Sequence, residues 1–127
     1  MSTRFPYSPA RTPPIPAVIV TLLAPGGGLT VSPVSAHVDT AADRTVVPLA
    51  LIQQLGVASS GQATTVSFGG TTSLILSYCV TVDIAGVGQA DLNVLAHPNE
   101  PYMLLGRDFL QWFRITLDGP NQSVEFH

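Results

Sequence analysis

The chain has 127 residues, 46% hydrophobic and only 10% charged, a balance that fits one globular domain and excludes a charge-driven disordered chain. Five arginines, no lysine and eight acids leave a formal charge of −3. That is too little positive charge for a nucleic-acid interface or an anionic membrane surface.

The longest apolar stretch, Ala17 to Ala24, falls well short of the roughly 18 residues a membrane helix needs. One cysteine, Cys79, excludes an internal disulfide and a Cys-rich zinc site. It is expected as a small hydrophobe in the strand around Leu76 to Val82. The N-terminus lacks the basic start and apolar stretch of a secretion signal, so a cytoplasmic compartment is expected. Few charges on a small chain leave apolar surface exposed, which points to self-association.

Residues 1–16 hold Pro6, Pro9, Pro13, Pro14 and Pro16. Proline fixes φ and removes a donor, so this segment reads as an extended arm rather than a strand or helix. A domain over 17–127 comes next. Val18 to Leu22 reads as a strand broken by Pro25-Gly26-Gly27-Gly28, a turn rather than a phosphate cradle because no Lys-Ser/Thr pair comes after it. Leu29 to Val34 and Ala36 to Asp39 read as further extended pieces.

Pro48 to Leu55 carries helix punctuation, with Leu49, Ile52 and Leu55 on one face and Gly56 as the stop. Thr64 to Phe68, Gly69-Gly70 and Thr71 to Ser77 form a hairpin with a glycine tip. Tyr78 to Ile84 and Ala90 to Leu95 are strands, and Gly106 to Phe113 is a short helix with Phe109, Trp112 and Phe113 on its apolar face. The chain closes with Ile115 to Asp118, a turn at Gly119-Pro120-Asn121, and Ser123 to Phe126. The fold class is all-β with one or two short helices, a small closed barrel.

Chemistry concentrates in Ala36-His37-Val38-Asp39-Thr40-Ala41-Ala42-Asp43-Arg44-Thr45-Val46-Val47-Pro48. An apolar strand delivers a carboxylate into a loop of minimal side chains, where backbone can approach closely. Taken alone, Asp39 also reads as the start of a turn, satisfied by the amides around Ala41 and Ala42. The second segment is Tyr102-Met103-Leu104-Leu105-Gly106-Arg107-Asp108-Phe109-Leu110, an apolar strand running through glycine into a short helix.

With the glycine-tipped hairpin between them, these two segments resemble the retropepsin-like aspartic proteases over residues 17 to 126. The resemblance implies a homodimeric aspartic endopeptidase without metal or organic cofactor. Each subunit supplies one catalytic Asp39, and the two copies share a proton while activating water against a peptide bond. It implies that Thr40 locks the two active-site loops across the dimer axis, beside Ala41 and Ala42. Asp43 and Arg107 match a structural ion pair, Phe68, Gly69, Gly70 and Thr71 match the flap tip, and Arg44 is a candidate substrate contact. The terminal strand ending Val124-Glu125-Phe126 is expected at the dimer interface with the proline-rich arm.

Ala41 stands where the family has glycine, and its methyl is expected to strain the loop or crowd the peptide. The alternative reading is therefore a protease-fold peptide-binding or dimerisation module. His37, His97 and His127 lack metal-ligand spacing, and His37 reads as a satisfied or solvent-facing histidine. Asn121-Gln122-Ser123 fits a glycosylation sequon but carries no weight without a secretion signal.

Overall fold

The computed structural model describes residues 2–66 and 69–127. The first barrel strand is β2 (Ala17–Leu23), whose alternating burial places Val18, Val20 and Leu22 inside. It turns back through Gly26 and Gly27, both at positive φ (82° and 86°), a conformation glycine reaches without Cβ strain. It pairs antiparallel with β3 (Thr30–Val38), which joins the two predicted extended pieces into one strand.

From β3 the sheet runs through β8 (Met103–Leu105), β4 (Val46–Pro48), β7 (Gly88–His97) and β6 (Thr72–Ile84). A pairing of β6 with β2 at Thr21↔Asp83 and Leu22↔Val82 closes these six strands into a barrel. Closure removes the open edges that a sheet this small would otherwise expose. The expectation of a small closed β-barrel is met. The outer strand β5 (Gly61–Val66) hangs on β6 alone and forms the predicted hairpin with it, in the register Val66↔Thr72.

Helix α1 (Leu49–Leu55) begins at Pro48 and ends at Gly56, whose left-handed φ of 68° caps it; Ile52 and Leu55 are buried as predicted. Helix α2 (Arg107–Leu110) is shorter than predicted. Phe109 is fully buried, and Phe113 stacks on it at 5.0 Å. Because the helix stops at Leu110, its periodicity does not carry to Trp112, which is 71% exposed instead of lying on the apolar face. Cys79 also departs from expectation: it lies within β6 but on the outward face, exposed opposite Asn93.

The predicted arm contains a strand. β1 (Thr3–Pro6) pairs antiparallel with β10 (Ser123–Phe126), which pairs on its other side with β9 (Ile115–Asp118). Proline is tolerated there because Pro6 is the last residue of an edge strand, where a missing N–H costs the ladder little. Beyond it, reciprocal backbone bonds between Ser8 and Ile15 (2.8 and 3.0 Å) close the proline-rich stretch into a loop. Val124 and Phe126 are buried, and Phe126 meets Phe5 and Phe113 edge-on at 6.2 and 5.7 Å. The small sheet is thereby fastened to α2.

Candidate active site

Two loops that are distant in sequence interlock at one end of the barrel. β3 and β8 run parallel, with His37 opposite Leu104 and Val38 opposite Leu105. Both strands therefore deliver their C-terminal loops to the same end. The Asp39 amide donates to the Leu105 carbonyl at 3.0 Å, and the Arg107 amide donates to the Ala42 carbonyl at 2.9 Å. Strand ends that would be left unpaired satisfy each other.

Within the first loop, Asp39 Oδ1 accepts from the amides of Ala41 (3.1 Å) and Ala42 (3.2 Å), an Asx-type turn that fixes the carboxylate. Oδ2 has no protein partner among the described residues. Asp39 is half-buried, and Thr40 and Ala41 are exposed at the mouth of the loop. The predicted turn and the predicted carboxylate site thus coincide: the amides hold one oxygen and present the other.

The Asp43–Arg107 ion pair is not formed. Among the described residues the ion pair present is Arg4–Glu125 at 3.4 Å, and Asp43 is exposed. Arg107 ties the loop by another route, donating from Nη1 to the carbonyls of Thr40 (2.9 Å) and Ala41 (3.2 Å). A guanidinium suits this role because its fixed fork can serve two acceptors at once. Arg44 is likewise anchored to backbone, donating to the Asn93 carbonyl from Nη2 (2.7 Å) and Nε (3.2 Å).

The buried fastening belongs to Thr45 and Asp108, to neither of which the sequence motifs assign a role. Asp108 accepts from the Thr45 amide (2.9 Å), the Thr45 hydroxyl (2.7 Å) and the Phe109 amide (2.9 Å). The Thr45 hydroxyl in turn accepts from the Gly106 amide at 3.1 Å. Gly106 must be glycine: a Cβ there would lie 2.6 Å from the Arg44 carbonyl carbon and 2.7 Å from its oxygen. The sequence signal was a lone hydroxyl in the apolar run Thr45-Val46-Val47, which a buried partner explains.

Ala41 is not strained. Among the described residues, Gln122 alone has positive φ without being glycine, so Ala41 occupies backbone space that alanine accepts. His37 is 3% exposed and stacks on Tyr102 at 4.6 Å, while Arg11 packs over the same ring at 4.9 Å. Burial, reinforced by Arg11 and opposed by Glu100, lowers the His37 pKa.

The hairpin, through Thr65, Val66, Ser73 and Ile75, and the strands β4, β7 and β8, through Val46, Leu95 and Leu104, border a partly open cavity of about 280 Å³ that His97 and Glu100 also line. Of the predicted tip, Gly69, Gly70 and Thr71 are exposed, and Phe68 lies outside the described residues. No group of three or more His, Cys, Asp or Glu is placed to hold a metal among the described residues. Likewise, no helix among them is long and apolar enough to cross a membrane.

A closed six-stranded barrel with a carboxylate loop laced to a Gly-Arg-Asp turn defines the single-domain acid-protease class. The family model described as "gag-polyprotein putative aspartyl protease" matches residues 29–112. The chain belongs to this family of retropepsin-like aspartic proteases.

Solved structures agree on the fold. The EIAV protease complexed with the inhibitor HBY-793 is 24% identical with a TM-score of 0.63, covering 84% of this chain and 92% of that one. A retropepsin-like aspartic protease from Rickettsia conorii is 13% identical with a TM-score of 0.66, covering 99% and 91%. The foamy viral protease–reverse transcriptase, solved with an RNA/DNA hybrid, is 17% identical with a TM-score of 0.54, covering 78% and 12%. No curated protein sequence matches the chain.

Proposed function

We propose that the protein is an aspartic endopeptidase that acts as a homodimer on peptide substrates. The observation that carries this reading is Asp39: Oδ1 is held by two backbone amides and Oδ2 has no partner among the described residues, at the barrel end where the two loops interlock. One carboxylate cannot be ionised, to take a proton from water, and protonated, to polarise the carbonyl, in the same step. A second copy supplies the other. Facing carboxylates share one proton because two adjacent negative charges are costly. The ionised member takes a proton from water while the protonated one polarises the peptide carbonyl. In the dimer Thr40, exposed beside Asp39, is the residue that meets its counterpart across the axis.

The small sheet has two edges, β1 and β9, with the terminal strand β10 enclosed between them, and the second copy is placed at β9. At β1 the Thr3 hydroxyl donates to the Gly86 carbonyl at 2.9 Å, a contact that fastens this strand to its own chain. On β9, the bond from the His127 amide to the Arg114 carbonyl sets the ladder phase. Alternation then turns the N–H and C=O of Ile115 and Leu117 outward. Leu117 lies opposite the fully buried Val124 yet is 46% exposed, an apolar side chain left uncovered at an open edge.

The experiment is digestion of a random peptide library by the parent and by Asp39→Asn, with and without a pepstatin-type inhibitor. Cleavage by the parent that the inhibitor and the substitution both abolish is expected. Cleavage that persists in Asp39→Asn overturns the assignment.

A further inference from the structure

The cavity beneath the hairpin combines an aliphatic lining with the hydroxyl-bearing Thr65 and Ser73 and one carboxylate. Val46, Ile75, Leu95 and Leu104 supply the aliphatic part, and Glu100 is the acid among the lining residues. Glu100 is half-buried in the 98–102 connection, and no ion pair reaches it among the described residues. The nearby cation Arg11 is engaged over the Tyr102 ring. The other titratable lining group is His97, whose Nδ1 accepts from the Asn99 amide at 3.1 Å, which leaves the proton of the neutral ring on Nε2. The cavity adjoins the site: Leu104 precedes Leu105, whose carbonyl holds the Asp39 amide.

An occupant displaces water from the Glu100 carboxylate. A purely apolar side chain gives nothing back, so the carboxylate is desolvated without compensation. An acidic side chain adds like-charge repulsion. A lysine or arginine lays its methylenes along the aliphatic lining and brings its charged head to Glu100. We propose that this cavity selects substrate peptides carrying a lysine or arginine at the position it receives, with Glu100 as the specificity-determining residue. The assignment rests on the peptidase reading of the site.

The test uses a random peptide library with the full-length parent, Glu100→Gln and Glu100→Lys, reading both cleaved and bound peptides. Matched peptides carrying lysine or norleucine at the selected position then give kcat/KM ratios. The parent is expected to enrich lysine and arginine at one position near the cleaved bond. It should favour the lysine peptide by about tenfold, the size of one partly screened charge-assisted hydrogen bond. In Glu100→Gln that ratio is expected to fall towards unity, and in Glu100→Lys the preference should turn to acidic residues.

Cleavage without a basic preference, or with one that Glu100→Gln retains, overturns the pocket assignment and leaves the peptidase reading standing. Binding of basic peptides without cleavage has the opposite meaning: the pocket stands and the peptidase reading falls. Neither binding nor cleavage overturns both.

Discussion

Replacing Thr45 with valine keeps the side chain's shape and deletes one hydroxyl. That hydroxyl donates to the Asp108 carboxylate at 2.7 Å and accepts from the buried Gly106 amide at 3.1 Å, and Thr45 is fully buried. An orphaned buried donor costs about 1–3 kcal/mol, and a hydrogen bond to a charged group contributes about 1.5–3 kcal/mol. The added methyl returns about 1 kcal/mol through apolar burial. Thr45→Val is therefore expected to lose about 1.5–5 kcal/mol, measured as a lower urea midpoint at unchanged slope and fixed protein concentration. Thr45→Ser keeps both hydrogen bonds and sheds one methyl, so it should lose only about 1 kcal/mol. If valine costs less than about 0.5 kcal/mol, or serine costs as much as valine, the network does not hold the two loops together.

Gly106→Ala drives a methyl into the Arg44 backbone and should cost about 1–3 kcal/mol; a melting temperature equal to the parent's would contradict the close approach. Folding favours the neutral form of His37, because its pKa is lowered from the ordinary 6.5, so the unfolded chain takes the proton first as pH falls. Stability from this group is full above that value and declines below it. The parent's melting temperature should drop between about pH 7 and 5 more than that of His37→Phe, which stacks but cannot titrate; parallel curves would refute this. Leu117→Lys places a charge on the open β9 edge and should convert a dimer into a folded monomer by sedimentation. A dimer as tight as the parent's would move the interface elsewhere.

Features written in local pattern were legible in the sequence. The hairpin of β5 and β6, helix α1 with its Gly56 stop, and the loop of Asp39 with its small neighbours are readable from period and punctuation. What escaped depends on partners far along the chain. β1 is a strand because β10 lies beside it, and proline content alone could not reveal that. Arg107 satisfies backbone carbonyls where a carboxylate partner was expected, since strand ends left acceptors pointing at it. Thr45 and Asp108 are separated by 63 residues, a distance at which spacing arguments fail. Ala41 lost its expected strain because φ is not readable from residue type alone.

The central claim is that one active site is built from two copies of Asp39, and subunit mixing tests it most directly. Parent protein is equilibrated with an equal amount of Asp39→Asn, at a total concentration where both are dimeric, and peptide cleavage is compared with the parent alone at that total concentration. If only parent–parent dimers cleave, random pairing leaves about a quarter of the activity. A fall to about half, the simple dilution expected when each chain acts by itself, would contradict the shared dyad.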